Sequence, residues 1–173
     1  MSFLNLSPGT PVVRRGSTIT SALSGVVGAR FIMDGTSSQG RFSAVEHPIA
    51  PRGLAAPVHR HTREDEYSFV LQGRCGFQLG DTVVFAETGD LVYKPREVWH
   101  TFWNAADEPA RILEIISPAG FEGLFVELAA LMESDPGDVE AIAALGARYG
   151  VEMDPAGTGR IVAEHGLVES SDP

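Results

Sequence analysis

The residues best suited to chemistry lie in the stretch GLAAPVHRHTREDEYSFVLQG, where His59 and His61, two of the chain's five histidines, are one residue apart. Side chains at positions i and i+2 of a β-strand point to the same face, so a strand here would direct both imidazoles at one spot. Glu66 follows five residues after His61, and this odd separation would place it on the opposite face of a straight strand. The polar run at 62–65 is therefore predicted to bend or bulge the chain if Glu66 is to join the histidines.

A third histidine, His100, follows a proline-containing turn in the segment GDLVYKPREVWHTFWN. Neutral imidazole nitrogens and a carboxylate are suitable ligands for divalent Fe, Mn, Co, Ni, Cu or Zn. The chain has a single cysteine, Cys75, which excludes an intrachain disulfide and a thiolate metal cluster. The chemistry that these residue types indicate is therefore that of a divalent metal held without sulfur, and Cys75 itself is expected to be a small strand residue.

The elements that must position these residues are mostly short strands. From about Val12 to Ile116, segments rich in β-branched and aromatic residues, such as EYSFVLQG, TVVFAE and ARILEIIS, alternate with turns of glycine, proline and polar residues. Many short strands at this spacing are typical of a β-barrel or a β-sandwich. A parallel α/β fold would need a helix between successive strands, and the sequence predicts none there.

After Ser117 the pattern changes to that of helices. Ser117 and Pro118 are predicted to be the N-cap and first residue of one helix, and Asp135 and Pro136 those of a second. Apolar residues at helical spacing define one face of each, with Gly150 ending the second: Phe121, Leu124, Phe125, Leu128 and Leu131 in the first, and Val139, Ile142, Leu145 and Tyr149 in the second. One more short helix is predicted within 155–166, and the last six residues are expected to be loose. The chain thus divides into a barrel over 1–117 and a helical extension over 118–173, packed on the barrel or on a partner subunit.

Two segments of this chain resemble the two conserved motifs of the cupin superfamily. The first motif is similar to residues 53–73, with its glycines, histidines and glutamate at Gly53, His59, His61, Glu66 and Gly73. The second is similar to residues 89–104, with its glycine, proline, histidine and asparagine at Gly89, Pro95, His100 and Asn104. Glu97 stands where the family prefers a glycine. The short spacing between the motifs and the segment SPAGFEGLF also resemble small, single-domain, quercetin-dioxygenase-like bacterial cupins.

This resemblance implies a mainly β fold, the double-stranded β-helix or jelly roll, followed by C-terminal helices. It also implies one divalent transition metal (Fe, Mn, Ni, Co, Cu or Zn) held by His59, His61, Glu66 and His100. Four protein ligands leave one or two positions open on a metal that takes five or six, and the formal charge of about +1 would favour an anionic oxygen ligand. By the same resemblance, Glu66 would also be the catalytic base that accepts a substrate proton.

Strand parity extends the predicted site. Ser68 and Val70 share a face with Glu66, and Phe102 shares one with His100, so all three are candidates to line a substrate pocket, although each is as well explained as barrel core. Lys94 is expected at the surface, with neutralisation of a substrate anion as the alternative. The acids Glu64 and Asp65 are expected to lie in a solvated turn, and His47 and His165 to be surface or structural residues.

The function that the resemblance implies is that of a metal-dependent, quercetinase-like dioxygenase acting on a small aromatic or enolic substrate. A metal-dependent isomerase or decarboxylase, or a cupin that only binds a small ligand, are the alternatives, because one fold supports many activities. The net charge of −10 argues against nucleic acid or anionic membranes as partners. No apolar run approaches the roughly 20 residues needed to span a bilayer, and the N-terminus does not resemble a signal peptide, so a cytoplasmic protein is expected. The resemblance to small cupins also implies a homodimer.

Overall fold

The computed structural model of the chain describes residues 25–135 and 137–169. These residues form ten strands and four helices. The strands are β1 (Arg30–Met33), β2 (Ser43–Ile49), β3 (His59–His61), β4 (Asp65–Gln72), β5 (Arg74–Leu79), β6 (Thr82–Glu87), β7 (Leu91–Lys94), β8 (His100–Asn104), β9 (Ala110–Ser117) and β10 (Val151–Met153). The helices are α1 (Gly35–Ser38), α2 (Glu122–Ser134), α3 (Val139–Arg148) and α4 (Pro155–His165). The start of the predicted β region, from Val12, lies outside the described residues.

The strands form two five-stranded antiparallel sheets. One has the order β1-β2-β9-β4-β7 and the other the order β10-β3-β8-β5-β6, so most neighbours in a sheet are not consecutive in the chain. Consecutive strands instead pass from one sheet to the other, as they do from β3 to β4, which is the connectivity of a jelly roll. The predicted mainly β jelly roll with C-terminal helices is confirmed.

The core lies between the two sheets and follows the period-two pattern of the strands. On β9, the side chains of Ala110, Ile112, Glu114 and Ile116 are buried, and the residues between them are more exposed. The main apolar cluster takes inward residues from strands of both sheets, including Val45, Val70, Phe77, Phe102 and Ile112. The alternation that predicted strands therefore also separates core residues from outer ones.

The boundaries of two predicted helices were wrong. Ser117 remains in β9 because it pairs with Asp65 of β4, and α2 begins only at Glu122. The Glu122 carboxylate accepts hydrogen bonds from the backbone N–H groups of Gly35 and Gly120, both at 2.7 Å. The cap of α3 is Asp138, whose side chain accepts a hydrogen bond from the Ala141 N–H, whereas Asp135 ends α2. Pro136 is outside the described residues.

The predicted apolar face of α2 is confirmed, since Phe121 and Leu124 are buried and Phe125 and Leu128 pack against the core. In α3, Leu145 is buried but Val139, the first residue of the helix, is 75% exposed. The short helix predicted near the C-terminus is α4, ended by Gly166 in the left-handed conformation.

The C-terminal segment also supplies a strand that the sequence pattern does not predict. Val151–Met153 forms β10, which pairs with β3 and so extends the second sheet. Val168, expected to be loose, donates its backbone N–H to Arg52 O and accepts a hydrogen bond from Leu54 N–H. Residues 170–173 lie outside the described residues. None of the helices described here has the length and apolar character needed to cross a bilayer.

Candidate metal centre

Four side chains from both sheets converge between the sheets. His59 and His61 lie on β3, His100 on the adjacent β8, and Glu66 on β4 of the other sheet. One donor atom from each of the four lies within 4.8 Å of all the others, and all four residues are buried. The Nε2 atoms of His59 and His61 are 3.1 Å apart. The Glu66 carboxylate lies 3.3 Å from His61 Nε2 and 3.2 Å from His100 Nε2.

Local structure explains this convergence. His59 and His61 share the inward face of β3, and His59 pairs directly with His100 across the ladder. The chain then bends at residues 62–63, as the sequence predicts, and enters β4 with Glu66 on its inward face. Thr62 fixes the bend by donating hydrogen bonds from its backbone N–H and its hydroxyl to Gly150 O. Although Glu66 is an odd number of residues from His61, the bend lets its side chain reach the histidines from the facing sheet.

The outer nitrogens of His59 and His100 are held by backbone hydrogen-bond acceptors. His59 Nδ1 lies 2.7 Å from Pro57 O, and His100 Nδ1 lies 2.9 Å from Val98 O. A carbonyl oxygen can only accept, so both rings carry their proton on Nδ1 and present the lone pair of Nε2 to the shared point. Outer acceptors such as these two carbonyls orient metal-binding imidazoles. His61 Nδ1 lies 3.5 Å from a carboxylate oxygen of Glu64, which is an ion-pair distance without hydrogen-bond geometry.

The prediction that Glu64 lies in a solvated turn was therefore wrong. Its side chain is buried beside His61, whereas Asp65 is partly exposed, as the first residue of β4, and forms an ion pair with Arg96 at 2.8 Å. The two neighbours differ because β4 begins between them. Asp65 points outward from the first residue of the strand, and Glu64 lies in the bend above the histidines.

The protonation of the cluster fits a cation at its centre. Burial lowers the pKa of His59 well below its usual value, helped by its histidine neighbours, and burial also lowers that of His100. Burial opposes ionisation of Glu66, but the charges of Lys94 and His61 outweigh it and hold the pKa of this carboxyl well below its usual range. For His61 burial is likewise outweighed, and the carboxylates of Glu66 and Glu64 raise its pKa to about 9. A proton on His61 thus occupies the place that a metal ion would take.

The arrangement of the donor atoms also fits a cation at the centre of the cluster. His100 Nε2 is buried and has no hydrogen-bond partner of acceptable geometry among the described residues. Lone pairs of His59 and His100 facing a carboxylate repel one another unless a cation lies among them. Ligands that lie about 2.0–2.2 Å from one ion at right angles are about 3 Å apart, close to the separations observed here. The four residues therefore fit a divalent transition metal.

Lys94 is not at the surface, and this prediction was wrong. It is 1% exposed, and its ammonium donates to Glu66 Oε2 at 2.7 Å and to Glu114 Oε2 at 2.8 Å. Burial lowers the pKa of Lys94, but the two carboxylates outweigh burial and raise it. Lys94 therefore neutralises carboxylates of the protein itself. The Ser68 hydroxyl lies 3.1 and 3.0 Å from the two oxygens of Glu114 and completes this buried group.

A cavity of about 500 Å³ opens beside the cluster. His59 and Glu66 reach its wall, and most of the remaining wall is apolar, including Phe102, Phe121 and Phe125. Of the residues predicted to contact substrate, Phe102 lines the cavity. Ser68 and Val70 face the interior but are not part of its wall, because Ser68 is turned to Glu114 and Val70 packs in the core. Substrate contact by any of the three stays a prediction.

Two buried polar residues of the cavity wall were not predicted as site residues, and neither was the exposed Glu169. Glu114 lies on the inward face of β9 between Ile112 and Ile116, and His47 lies on the inward face of β2 between Val45 and Ile49. In both strands the signal was present, since a polar residue replaces an apolar one in a period-two pattern. His47 Nδ1 lies 2.9 Å from Gly28 O, so this buried residue is held in place by the backbone. His165, by contrast, packs against the Trp103 ring in a structural position.

Comparison with known proteins places this geometry in a family. Residues 46–116 match the model of the cupin domain family. KdgF from Halomonas sp. has 19% sequence identity and a TM-score of 0.52, over 60% of this chain and 88% of that chain. A protein described as a predicted oxalate decarboxylase from Thermotoga maritima has 19% identity and a TM-score of 0.57, over 62% of this chain and 99% of that chain. At these identities the likeness concerns the fold alone, and no curated protein matches the sequence. The matched domain, together with the jelly roll that surrounds the four converging side chains, shows that residues 46–116 form a cupin domain.

Proposed function

We propose that this cupin is a metal-dependent dioxygenase of the quercetinase-like type that acts on a small aromatic or enolic substrate. The observation that carries the proposal is the nature of the cavity beside the four-residue cluster. Its wall is mostly apolar, and no Arg or Lys occurs among the described residues that line it. Such a site suits an uncharged or singly ionised organic molecule, whereas a phosphate or a dicarboxylate would find no cation of the protein to pair with.

His59, His61, Glu66 and His100 would hold one divalent transition metal. When bound, the metal would supply a Lewis acid for an enolate or phenolate oxygen and a centre for chemistry with O₂. Burial lowers the pKa of His59 and His100, so both rings are neutral and present Nε2 to the metal, whereas the metal would displace the additional proton of His61. Glu66 reaches the cavity wall, and we propose that it also accepts the substrate hydroxyl proton. The phenyl rings of the wall exclude water from the substrate.

The direct test is O₂ consumption by protein loaded with Fe, Mn, Ni or Co and supplied with flavonols, catechols or β-diketones. We expect uptake with at least one pair of metal and substrate, and elemental analysis should find about one metal per chain. His61→Ala should abolish uptake and weaken metal binding about 10- to 100-fold or more, since it removes a central donor. His165→Ala is the matched control and should retain both properties. Absence of uptake across the panel would contradict the proposal.

One observation favours a second candidate, a metal-dependent isomerase or decarboxylase. Burial raises the pKa of the cavity-lining Glu114 to about 7, against the opposing charge of Lys94. A carboxyl group that titrates near neutrality can move a proton on a bound substrate without O₂. Turnover that persists under strict anaerobiosis would support this candidate over the dioxygenase.

A further inference from the structure

Glu114 is a buried carboxylate that retains capacity to accept hydrogen bonds. It is 1% exposed and lines the cavity. Its Oε2 receives Lys94 Nζ at 2.8 Å and lies 3.0 Å from the Ser68 hydroxyl, and its Oε1 lies 3.1 Å from the same hydroxyl. A carboxylate offers about four acceptor positions, and the single Ser68 proton serves only one oxygen at a time. At least one acceptor position on Oε1 is therefore not used by Lys94 or Ser68, and Glu114 is part of the cavity wall.

Glu114 also lies close to the candidate metal centre. Lys94 Nζ is 2.7 Å from Glu66 Oε2 and 2.8 Å from Glu114 Oε2, so these two oxygens can be no more than about 5.5 Å apart. The cavity wall contains both glutamates. A molecule whose one oxygen binds at the metal centre can thus reach Glu114 with a second oxygen borne by a neighbouring carbon.

The charges around Glu114 indicate which chemical group carries the second oxygen of the bound molecule. The ammonium of Lys94 is already shared by two carboxylates, and the described part of the cavity wall offers no Arg or Lys. A second anionic group would meet the carboxylate of Glu114 in an apolar enclosure, which is unfavourable. A neutral hydroxyl instead donates the hydrogen bond that the carboxylate lacks.

We propose that Glu114 is a substrate-binding residue that accepts a hydrogen bond from a neutral hydroxyl of the substrate. The substrate class is then an aromatic or enolic compound with two oxygen functions on adjacent carbons, one for the metal centre and one for Glu114. This inference rests on the proposed function for the first oxygen and adds the residue that recognises the second. The pair Lys94 and Ser68 hold Glu114 in place for this contact.

The test compares catechol with 2-methoxyphenol, which has the same ring but lacks the second hydroxyl proton. Binding to protein loaded with redox-inactive Zn²⁺ is measured by calorimetry under argon at about pH 8, where Glu114, whose pKa burial raises to about 7, is mostly ionised. We expect the wild type to bind catechol about 10-fold or more tightly than 2-methoxyphenol, the value for a hydrogen bond to a charged acceptor. In Glu114→Gln this preference should fall to about threefold or less, with the zinc content unchanged.

The control is Glu46→Gln, which removes another buried carboxylate. Glu46 pairs with Arg30 and Arg111 and does not line the cavity, so its variant should keep the wild-type preference. If Glu114→Gln does not fold, Glu114→Asp, which withdraws the acceptor by one methylene, should show the reduced preference instead.

Two results would overturn the inference: a wild type that binds both phenols equally, or a Glu114 variant that keeps the full preference because catechol merely chelates zinc. The proposed function is judged separately by O₂ uptake. Loss of the preference in Glu114→Gln without any O₂ uptake would retain this inference and reject the dioxygenase. O₂ uptake together with an unchanged preference for catechol in Glu114→Gln would retain the dioxygenase and reject this inference.

Discussion

At the scale of single residues, the site depends on which nitrogen of each imidazole is held by the backbone. His59 and His100 use Nδ1 for backbone carbonyls and direct Nε2 to the shared centre. His47 follows the same rule with Gly28 O but lies in the cavity wall, outside the cluster. Burial lowers the pKa of His47 to about 4, the charge of Lys94 acts in the same direction, and the hydrogen bond with Gly28 opposes them. His47 is therefore neutral at physiological pH.

This pKa predicts a loss of stability in mild acid. Unfolded His47 would take up a proton below pH 6.5, whereas folded His47 does so only near pH 4, so the free energy of unfolding falls across this range. The loss is about 2 kcal/mol at pH 5. In His47→Asn, whose amide can still donate to Gly28 O, this contribution disappears. Urea unfolding of both proteins at pH 7 and pH 5 checks it, and equal losses in the two proteins would refute it.

Glu97 stands where the second cupin motif prefers glycine, and its backbone conformation is strained. Its backbone φ is 64°, a left-handed conformation that favours glycine, and its N–H donates to His61 O at 2.8 Å. We expect Glu97→Gly to raise the free energy of unfolding by up to about 1 kcal/mol, because the left-handed strain exceeds the entropy cost of glycine. Gly89→Ala, at φ 101°, should act in the opposite direction. Chemical denaturation measures both, and a destabilised Glu97→Gly would contradict the argument.

At the scale of elements, the C-terminal segment supports the strand that carries two of the four converging residues. In β10, Val151 pairs with His61 and Met153 with His59. Just before β3, Val58 N–H donates to the Thr158 hydroxyl at 2.8 Å, and Val58 O accepts from Asp154 N–H at 2.8 Å. The helix α4 and strand β10 together thus hold β3 in place between β10 and β8.

Removal of one of these contacts should weaken the fold. Thr158→Val leaves the buried N–H of Val58 without an acceptor, and we expect the free energy of unfolding to fall by about 1–3 kcal/mol. Thr158→Ser keeps the hydroxyl and should recover most of this loss. Urea denaturation of the two variants measures the difference, and equal stabilities would show that the hydroxyl does not support β3.

At the scale of the whole molecule, the two sheets and the helices share the work of building the site. The sheets place three histidines opposite one glutamate, and residues of α2 and α3, including Leu128 and Ile142, line the cavity beside them. On the outside, strands β4 and β7 present an apolar surface made of Tyr67, Phe69, Leu91 and Tyr93, which we call the β4–β7 outer face. Leu91 on this face is 59% exposed, and β7 is an edge strand.

An exposed apolar face on an edge strand is typical of a subunit interface, so we expect a homodimer that buries the β4–β7 outer face. Leu91→Lys should shift the protein from dimer to monomer in sedimentation velocity, because it would bury a charge in that interface. Val126→Lys, an exposed apolar position on α2, is the control and should not change the mass. A wild type that sediments as a monomer, or a Leu91→Lys dimer, would contradict this prediction.

The sequence by itself predicted most of the strands, because period-two alternation is a local property of the chain, and the resemblance of its two motifs to those of cupins indicated the four converging residues. It also indicated the bend at 62–63, since a polar run interrupts the alternation there. Only the tertiary structure decided that Lys94 is buried between Glu66 and Glu114, that Glu64 lies beside His61, and that Val151–Met153 extends the sheet. Parity shows which residues share a face, but the partners across that face come from strands distant in the chain. The charge state and surroundings of a buried polar residue follow from those partners, and so they appear only when the chain is folded.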